Sequence, residues 1–232
     1  MMSIKSASAI IGTLASVSAS AALAGNIEPA PTPTPVIASA LVDWSGPFVG
    51  AQFGGGFGNT DFKFLNNSNT ADHSIDGTFG GIYGGYDFQS GANVFGFDLS
   101  YNFSDITGST ECPNPAFTCS SKLEDFGSVR GRYGRTLNDF LVYGAAGYAF
   151  GNAKADARNA GGPVFRDNSA GVDGWTVAAG VQKMLQSGWA LRGEVAYYNL
   201  SAGSGSIISD VPAPVDLGMD MTTVSIGIEK RW

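Results

Sequence analysis

Charge and long hydrophobic runs are both scarce in this sequence. Charged residues make up 14% of the 232 residues, well below the roughly 25% of an ordinary soluble domain. A large water-facing surface is therefore not indicated. After residue 24, no window offers the run of about 18 apolar residues that a transmembrane helix requires. If the chain crosses a membrane, it must do so with β-strands.

Basic residues are also few, with 13 Lys and Arg against 20 Asp and Glu and a formal net charge of −7. Nucleic acids select basic surfaces, so this balance argues against nucleic acid as a partner. Cysteine is limited to Cys112 and Cys119, and histidine to His73. Two thiols with no histidine nearby leave a zinc site two ligands short, so we expect no metal. Nothing in the composition predicts a cofactor.

The first 24 residues are typical of a secretory signal peptide. Lys5 supplies a positive charge, small apolar residues follow, and Ala22-Leu23-Ala24 fits a cleavage site. An uncleaved membrane anchor is the alternative, which the short segment rich in Ser and Ala disfavours. Residues 25–43 contain Pro-Ala-Pro-Thr-Pro-Thr-Pro, which predicts an extended linker. We therefore expect export, a periplasmic linker over 25–43 and a folded domain over 44–232.

The two cysteines lie close together in the chain, at positions 112 and 119. An exported chain meets oxidising conditions, so we expect a disulfide between Cys112 and Cys119. Closing this short loop would stabilise the fold by about 2 to 3 kcal/mol.

Glycine and aromatic residues are abundant, with 33 Gly and 12% aromatic residues. From about Ser45 onward, apolar and polar residues alternate with a period of two, which predicts β-strands. The segment 94–104 is the clearest case, because every second residue is large and apolar. These residues are Phe95, Phe97, Leu99, Tyr101 and Phe103.

Eight segments show this alternation. They are 46–58, 75–88, 94–105, 122–135, 140–151, 172–186, 189–201 and 219–232. The connections alternate in length: residues 89–93, 136–139 and 187–188 are tight turns, whereas 59–74, 106–121, 152–171 and 202–218 are long and polar. This layout predicts an all-β fold, an eight-stranded antiparallel transmembrane β-barrel with short periplasmic turns and long extracellular loops.

The polar rows of these strands distinguish a membrane barrel from a soluble one. A soluble barrel of the lipocalin type, the alternative, fills its inside with large apolar residues. Here the polar rows carry charges that are costly to bury in a dry core, namely Asp98, Arg130, Arg132, Arg192, Glu194, Glu229 and Arg231. We therefore expect a polar lumen in which Arg130, Arg132 and Arg192 pair with Asp98, Glu194 and Glu229 and block wide passage.

Two further sets of residues support a membrane barrel. Three cations with lipid-facing parity lie near a short turn or the C-terminus, where long side chains reach lipid headgroups at little cost: Arg135, Lys183 and Lys230. The four tryptophans fall at expected strand ends, as interfacial aromatic belts require: Trp44, Trp175, Trp189 and Trp232.

Five stretches carry a recognisable set of motifs: Trp44–Gly58, Phe126–Gly134, Val142–Gly151, Gly174–Val181 and Trp189–Tyr198. Together they resemble the small OmpA-like porin family of proteobacterial outer-membrane immunogenic proteins, over nearly all of residues 44–232. The resemblance implies an eight-stranded barrel in the bacterial outer membrane, with loops exposed to host or environment. It implies no shared biochemical activity. We expect outer-membrane lipids and lipopolysaccharide as partners, and host or surface ligands through the loops.

The resemblance also implies that the barrel assembly machinery recognises the terminal strand. Alternate residues would form this assembly signal: Val224, Ile226, Ile228 and Trp232. Lys230 departs from the family pattern, because an aromatic residue is common there. Since the chain ends at the eighth strand, we expect no peptidoglycan-binding domain.

Three functions remain open at this stage. The first, which we favour, is a structural barrel that supports the envelope and displays its loops. The second is a narrow porin-like channel, although side chains nearly fill the interior of eight strands. The third is a lipid A-modifying enzyme, which would need a His with a Ser partner. The sole histidine, His73, has Asp72 and Ser74 beside it in an expected loop, and we interpret it as a solvated loop residue.

Overall fold

A computed structural model describes residues 42–64, 70–112, 117–159, 169–202 and 215–232 of the chain. The expected signal peptide over 1–24 and all but the last two residues of the expected linker over 25–43 lie outside the described residues.

The described chain forms eight antiparallel strands that close into a barrel. The strands are β1 (Gly46–Phe64), β2 (Thr70–Ser90), β3 (Asn93–Glu111), β4 (Phe117–Leu137), β5 (Phe140–Asn159), β6 (Ser169–Met184), β7 (Trp189–Ala202) and β8 (Val215–Arg231). Each strand pairs with the next, and β8 closes the ring on β1. Among the described residues, no helix is long and apolar enough to cross a membrane. The predicted all-β, eight-stranded antiparallel fold is therefore confirmed.

Three short connections lie at one end of the barrel, which we call the turn end. Two are two-residue turns, Gly91-Ala92 and Asn138-Asp139, whose first residues have φ of 60° and 58°. Gly and Asn adopt this left-handed conformation at the lowest cost, which is why such turns join twisted strands. The third connection contains a 3₁₀ helix, Gln186–Gly188. The opposite end of the barrel, which we call the loop end, carries the four remaining connections.

The strands extend further toward the loop end than the sequence pattern predicted. β1 ends at Phe64 instead of residue 58, and β3 ends at Glu111 instead of 105. Much of the segments 59–74, 106–121, 152–171 and 202–218, predicted as loops, is therefore strand. Their polar composition suggested loops, but polar residues suit a strand whose outer face meets water.

The outward-facing surface changes polarity along the barrel. Near the turn end and the middle it is apolar, with large side chains such as Phe53, Ile82, Phe103 and Ile226 between 61% and 72% exposed. Toward the loop end, polar outward-facing residues replace them: Asn59, Asp76, Asp105, Asn152 and Asp173. An apolar band that gives way to polar residues is the surface that a lipid bilayer selects.

A β-bulge in β4 changes which residues face inward. The register of β4 shifts between Leu123 and Asp125. Phe126 and Leu123 are both buried, although an inward-facing row should skip every second residue. On the turn-end side of the bulge the even-numbered residues face inward, and on the loop-end side the odd-numbered residues do. Bulges of this kind insert one residue and re-aim the side chains beyond it. As a result, the loop-end part of β4 directs Leu123, Ser121 and Cys119 into the barrel.

Candidate functional site: the charged belt inside the barrel

Eight charged side chains face the barrel interior in its turn-end half, and we call them the charged belt. They are Asp87, Asp98, Arg130, Arg132, Arg192, Glu194, Glu229 and Arg231, and all are buried. Four are cations and four are anions, so the belt has no formal net charge. It contains the six residues that the sequence analysis expected to pair in the lumen and Arg231, which that analysis also placed there, together with Asp87. Buried ions of this kind are tolerated only when each is paired and hydrogen-bonded.

Arg130 of β4 is the centre of the belt. Its Nε and Nη2 atoms donate to the two carboxylate oxygens of Asp98 at 2.8 and 3.0 Å. Its Nη1 and Nη2 atoms donate to the two carboxylate oxygens of Glu194 at 2.9 and 3.2 Å. Arg192 also contacts both carboxylates, and lies 3.3 Å from Asp98. Paired donors of this geometry form the strongest ion pairs in proteins. This part of the belt thus links β3, β4 and β7 across the interior.

A second group of charges lies nearer the turn end. Arg231 contacts Asp87, and its Nη1 atom donates to Glu229 at 2.6 Å. Arg132 lies 3.4 Å from Asp87, and its Nη2 atom donates to the Gln182 side-chain oxygen at 2.8 Å. The Gln182 amide in turn donates to Glu229 at 2.8 Å. Of the predicted pairs, those of Arg130 and Arg192 with Asp98 and Glu194 are present. Arg132 pairs with Asp87, and Glu229 pairs with Arg231, outside the predicted set.

Aromatic rings cover the guanidinium groups of the belt. The Arg132 guanidinium lies 4.2 Å from the ring centre of Tyr143, and that of Arg192 lies 4.4 Å from Tyr83. The Tyr143 hydroxyl also donates to Glu194 at 2.6 Å. A Cβ at Gly180 would lie 2.4 Å from the Tyr143 ring, so glycine leaves room for this ring against the wall. These contacts add cation–π attraction and fill the space between the ions.

Trp44 closes the turn end of the interior. Its side chain is fully buried, and the Arg231 guanidinium lies 5.1 Å from its ring centre. Its backbone N–H donates to Gln89 at 2.6 Å, and its backbone oxygen accepts from Arg231 at 2.8 Å. The prediction that Trp44 belongs to an interfacial belt is therefore wrong. The residue precedes β1 and folds inward, where an arginine from β8 holds it.

The loop-end half of the interior is mostly apolar, and we call its apolar residues the outer apolar cluster. They include Ile75, Phe79, Ile106, Leu123, Phe126, Tyr198, Leu200, Leu217, Met219 and Met221. The Phe126 ring packs edge-on against Phe79 at 5.1 Å and against Tyr198 at 5.2 Å. The expected polar lumen is thus confined to the turn-end half of the interior. Where the outer face is polar, the strands bury their apolar residues inside, as a soluble barrel does.

His73 lies inside the loop end, not in a solvated loop. It is buried on β2, and its Nε2 atom lies 2.7 Å from the Ser121 hydroxyl of β4. Burial lowers the pKa of the His73 imidazole, although Asp61 and Asp72 oppose this shift. The neighbouring Ser74 instead donates to Asn59 at 3.4 Å. The interpretation of His73 as a solvated residue is therefore wrong, because β2 begins at Thr70 and includes it.

The terminal strand and the turn-end cations occupy the surface. The assembly-signal residues Val224, Ile226, Ile228 and Trp232 all face outward and are exposed. The Trp232 backbone N–H donates to Pro47 at 3.2 Å. Arg135 and Lys183 are exposed near the short turns. Lys230 contacts the Ser187 carbonyl and lies 5.8 Å from the Trp189 ring centre.

A disulfide joins Cys112 and Cys119, as the sequence predicted. It ties the end of β3 to the start of β4 at the loop end, and residues 113–116 between them lie outside the described residues.

The sequence interpretation did not select Asp87, Gln182, Tyr83 and Tyr143 as site residues. The sequence pattern could have identified them. Along its strand, each alternates with mostly apolar residues that face the lipid, so its own side chain must face the interior. Asp87, for example, lies between Tyr86 and Phe88, which are both exposed. An acid between two outward aromatics is typical of a membrane-barrel lumen.

Comparisons with known proteins agree with this architecture. A family model described as an outer membrane protein beta-barrel domain matches residues 12–228. The 31 kDa outer-membrane immunogenic protein of Brucella melitensis biotype 1 is 28% identical over 246 residues, which cover 97% of this chain and 99% of that protein. The 22 kDa outer membrane protein of Rhizobium leguminosarum bv. viciae is 31% identical over 199 residues, covering 82% of this chain and 78% of that protein.

Among solved structures, the outer membrane protein OprG from Pseudomonas aeruginosa is similar, with 13% sequence identity and a TM-score of 0.47. The match covers 81% of this chain and 96% of that chain. The family model matches most of the chain. The two relatives are named as outer-membrane proteins of bacteria. The chain therefore belongs to the outer membrane protein β-barrel domain family.

Proposed function

We propose that this protein is a closed structural barrel of the bacterial outer membrane, which supports the envelope and presents its loop end as an interaction surface. The observation that supports this proposal is the filled interior. Trp44 covers the turn end, the charged belt crosses the middle, and the outer apolar cluster packs the loop end. A solute would have to displace all three layers to pass.

The extended strands favour a role at the cell surface. β2, β3 and β4 reach several residues beyond the outward Asp76, Asp105 and Asp125, into the region above the lipid band. The Cys112–Cys119 disulfide holds one of these extensions together. Paired strands that extend into water form a rigid surface, so little conformational entropy is lost when a ligand binds there. Such a surface suits binding of host or surface ligands. Lipopolysaccharide would surround the barrel just below this edge.

A narrow channel is the second candidate function. Several buried donors of the belt have no hydrogen-bond partner among the described residues, including Arg132 Nη1 and Arg192 Nη1. Buried donors of this kind bind water, and a continuous water file would conduct small ions. We rank this function second because large apolar side chains fill most of the loop-end interior and separate the few polar groups there, such as Thr60, His73 and Ser121.

An enzymatic role has the weakest support. His73 and Ser121 lie within hydrogen-bond distance, as a nucleophile and its base do. Both side chains are buried among the loop-end strands, which disfavours access of a lipid substrate to the serine. The relatives are named as immunogenic or outer membrane proteins.

Deleting the gene and restoring it tests the structural role. Entry of a hydrophobic dye and sensitivity to detergent report envelope integrity, and uptake of a small hydrophilic solute reports transport. A structural barrel predicts that deletion increases dye entry, leaves solute uptake unchanged, and is reversed by the wild-type gene. Slower solute uptake in a deletion strain with an intact envelope would instead support the channel.

A further inference from the structure

We propose that the barrel binds an anionic glycerophospholipid of the periplasmic leaflet, with an acyl chain in a lipid-facing groove and the phosphate between Arg135 and Lys183. The groove is an open depression on the outer wall across β3, β4 and β5, with a volume of about 750 Å³. Its lining includes Phe95, Phe97, Gly131, Tyr133, Gly144 and Ala146. All six residues face outward, so the groove opens to the membrane and not to the barrel interior.

The floor of the groove is bare because its residues are small. A Cβ at Gly131 would meet no atom within 4 Å, and one at Gly144 would come no closer than 3.7 Å to its neighbours. Close packing of the protein therefore does not explain glycine at these two positions. By contrast, a Cβ at the inward-facing Gly147 would lie 2.0 Å from a backbone oxygen. The two outward glycines leave space that only something from outside the chain can fill.

Aromatic rings form the walls of the groove. Phe97 and Tyr133 are 50% and 61% exposed, so they stand out from the wall. The Tyr133 hydroxyl donates to Asn93 at 3.1 Å, which fixes the direction of this ring. Phe95 stacks on Phe88 with ring centres 5.7 Å apart. Rigid apolar walls above a flat floor match the cross-section of a hydrocarbon chain.

Two cations flank the end of the groove nearest the periplasm. Arg135 follows Tyr133 by two residues on the same face of β4, and pairs with Val142 of β5. Lys183 of β6 pairs with Phe140 of β5. Only β5 separates them, and their partners on β5 are two residues apart, so their backbones are about 12 Å apart at the usual strand spacing and rise. Both side chains are exposed, and among the described residues neither takes part in an ion pair. A lipid phosphodiester between them carries one negative charge and would offset half of their combined charge.

The charge distribution selects the periplasmic leaflet and an anionic lipid. Arg135 and Lys183 lie beside the short turns, whereas the outward charges at the loop-end boundary include the carboxylates of Asp76, Asp125 and Asp173, and Asp105 there is paired with Lys122. These carboxylates would repel a lipid phosphate. Lysine and arginine near a membrane surface attract anionic lipids. The groove and the cations therefore specify the same leaflet and the same lipid class.

Native mass spectrometry of the protein isolated from outer membranes and exchanged into detergent tests this site. Added phosphatidylglycerol should bind one molecule per barrel about tenfold more tightly than phosphatidylethanolamine, given the attraction of each cation for anionic lipid. Arg135→Gln combined with Lys183→Gln should abolish this preference. Gly144→Leu should weaken binding while both cations remain. Lys230→Gln is the matched control, since Lys230 contacts Ser187 away from the groove, and should bind as wild type does.

Several results would overturn the proposal. Equal retention of the two phospholipids would indicate a nonspecific lipid shell, and preference for lipopolysaccharide would place the ligand in the other leaflet. Unchanged binding in the Gly144→Leu variant would exclude the groove. Dimers that disappear in that variant would show that a second copy of the chain covers this face. Heat-modifiable gel mobility confirms that each variant is a folded barrel, so a loss of binding cannot be a loss of folding.

Discussion

Arg130 on β4 and Glu194 on β7 form a bidentate ion pair across the barrel interior, with N–O distances of 2.9 and 3.2 Å. Two strands separate them along the wall. The pair therefore joins opposite sides of the ring and crosses the space through which a solute would pass. Breaking it affects both the stability of the barrel and its closure.

Removing the carboxylate of Glu194 should destabilise the barrel strongly. Arg130 and Arg192 both contact Glu194, so Glu194→Ala removes a partner from two buried cations. The expected loss in the free energy of unfolding is about 3 to 5 kcal/mol. Urea unfolding in lipid vesicles measures it. Asp105→Ala is the matched control, because Asp105 pairs with Lys122 at 2.7 Å on the surface, and it should cost less than about 1 kcal/mol. Equal unfolding midpoints for the two variants would contradict a buried, paired belt.

The outer apolar cluster should contribute to stability as the core of a soluble barrel does. Phe126 is 1% exposed between Phe79 and Tyr198, so Phe126→Ala should cost about 3 to 5 kcal/mol. Phe103→Ala removes the same ring from an outward position that is 69% exposed, and should cost clearly less. The same vesicle unfolding measurement compares the two. A larger loss of unfolding free energy for Phe103→Ala than for Phe126→Ala would mean that Phe103 faces the interior of this half and Phe126 faces outward.

The sequence was sufficient to predict the eight strands, their order and the six predicted lumen charges, because each of these follows from alternation with a period of two. It was insufficient to predict where the strands end and which side chains face inward near a bulge or before the first strand. Beyond the lipid band, a polar residue such as Asp105 marks the outer face of a continuing strand, not a loop. The bulge near Leu123 shifts the inward row by one position, and Trp44 turns inward through contacts with distant residues. A local pattern contains no information about either.

The buried His73 should make the loop end less stable in acid. Its pKa is lowered by burial, so the folded state binds a proton less readily than the unfolded chain, whose histidine titrates near 6.5. The free energy of unfolding is therefore unaffected by protonation of His73 above about pH 6.5, and it decreases as the pH falls below that value. After division by the intrinsic exchange rate at each pH, the protection of loop-end amides of β2 and β4 should be lower at pH 5.5 than at pH 7.5 in the wild type, and this decrease should be larger than in His73→Gln.

The comparison with His73→Gln isolates the histidine from a nearby carboxyl. Burial and Asp72 raise the pKa of Asp61, which makes the fold more stable in acid and opposes the effect of His73. Because Asp61 and His73 influence each other, the comparison is made with Asp61→Asn in both proteins, so the carboxyl is absent from each. Identical pH dependence in the two proteins would show that protonation of His73 does not affect the loop end.

Trp232 should matter for assembly more than for the stability of the finished barrel. Its side chain is 68% exposed, and its backbone N–H donates to Pro47 at 3.2 Å. Deleting it should lower the amount of protein in the outer membrane of cells, while refolding of the purified chain in detergent stays nearly unchanged. Trp189→Leu is the control, since Trp189 is an exposed tryptophan at the same end. Normal outer-membrane yield without Trp232 would exclude the assembly signal.

Conductance across planar lipid bilayers tests the closed interior most directly. The wild-type barrel, with insertion verified by its heat-modifiable mobility, should give no discrete current steps at either polarity. A variant that combines Arg130→Ala, Glu194→Ala and Phe126→Ala removes part of the charged belt and part of the outer apolar cluster, and should give such steps. Lys122→Ala with Asp105→Ala, which removes a surface pair, should remain silent. Stable steps from the wild-type protein, as large as those of the combined variant, would contradict a closed barrel and support a channel.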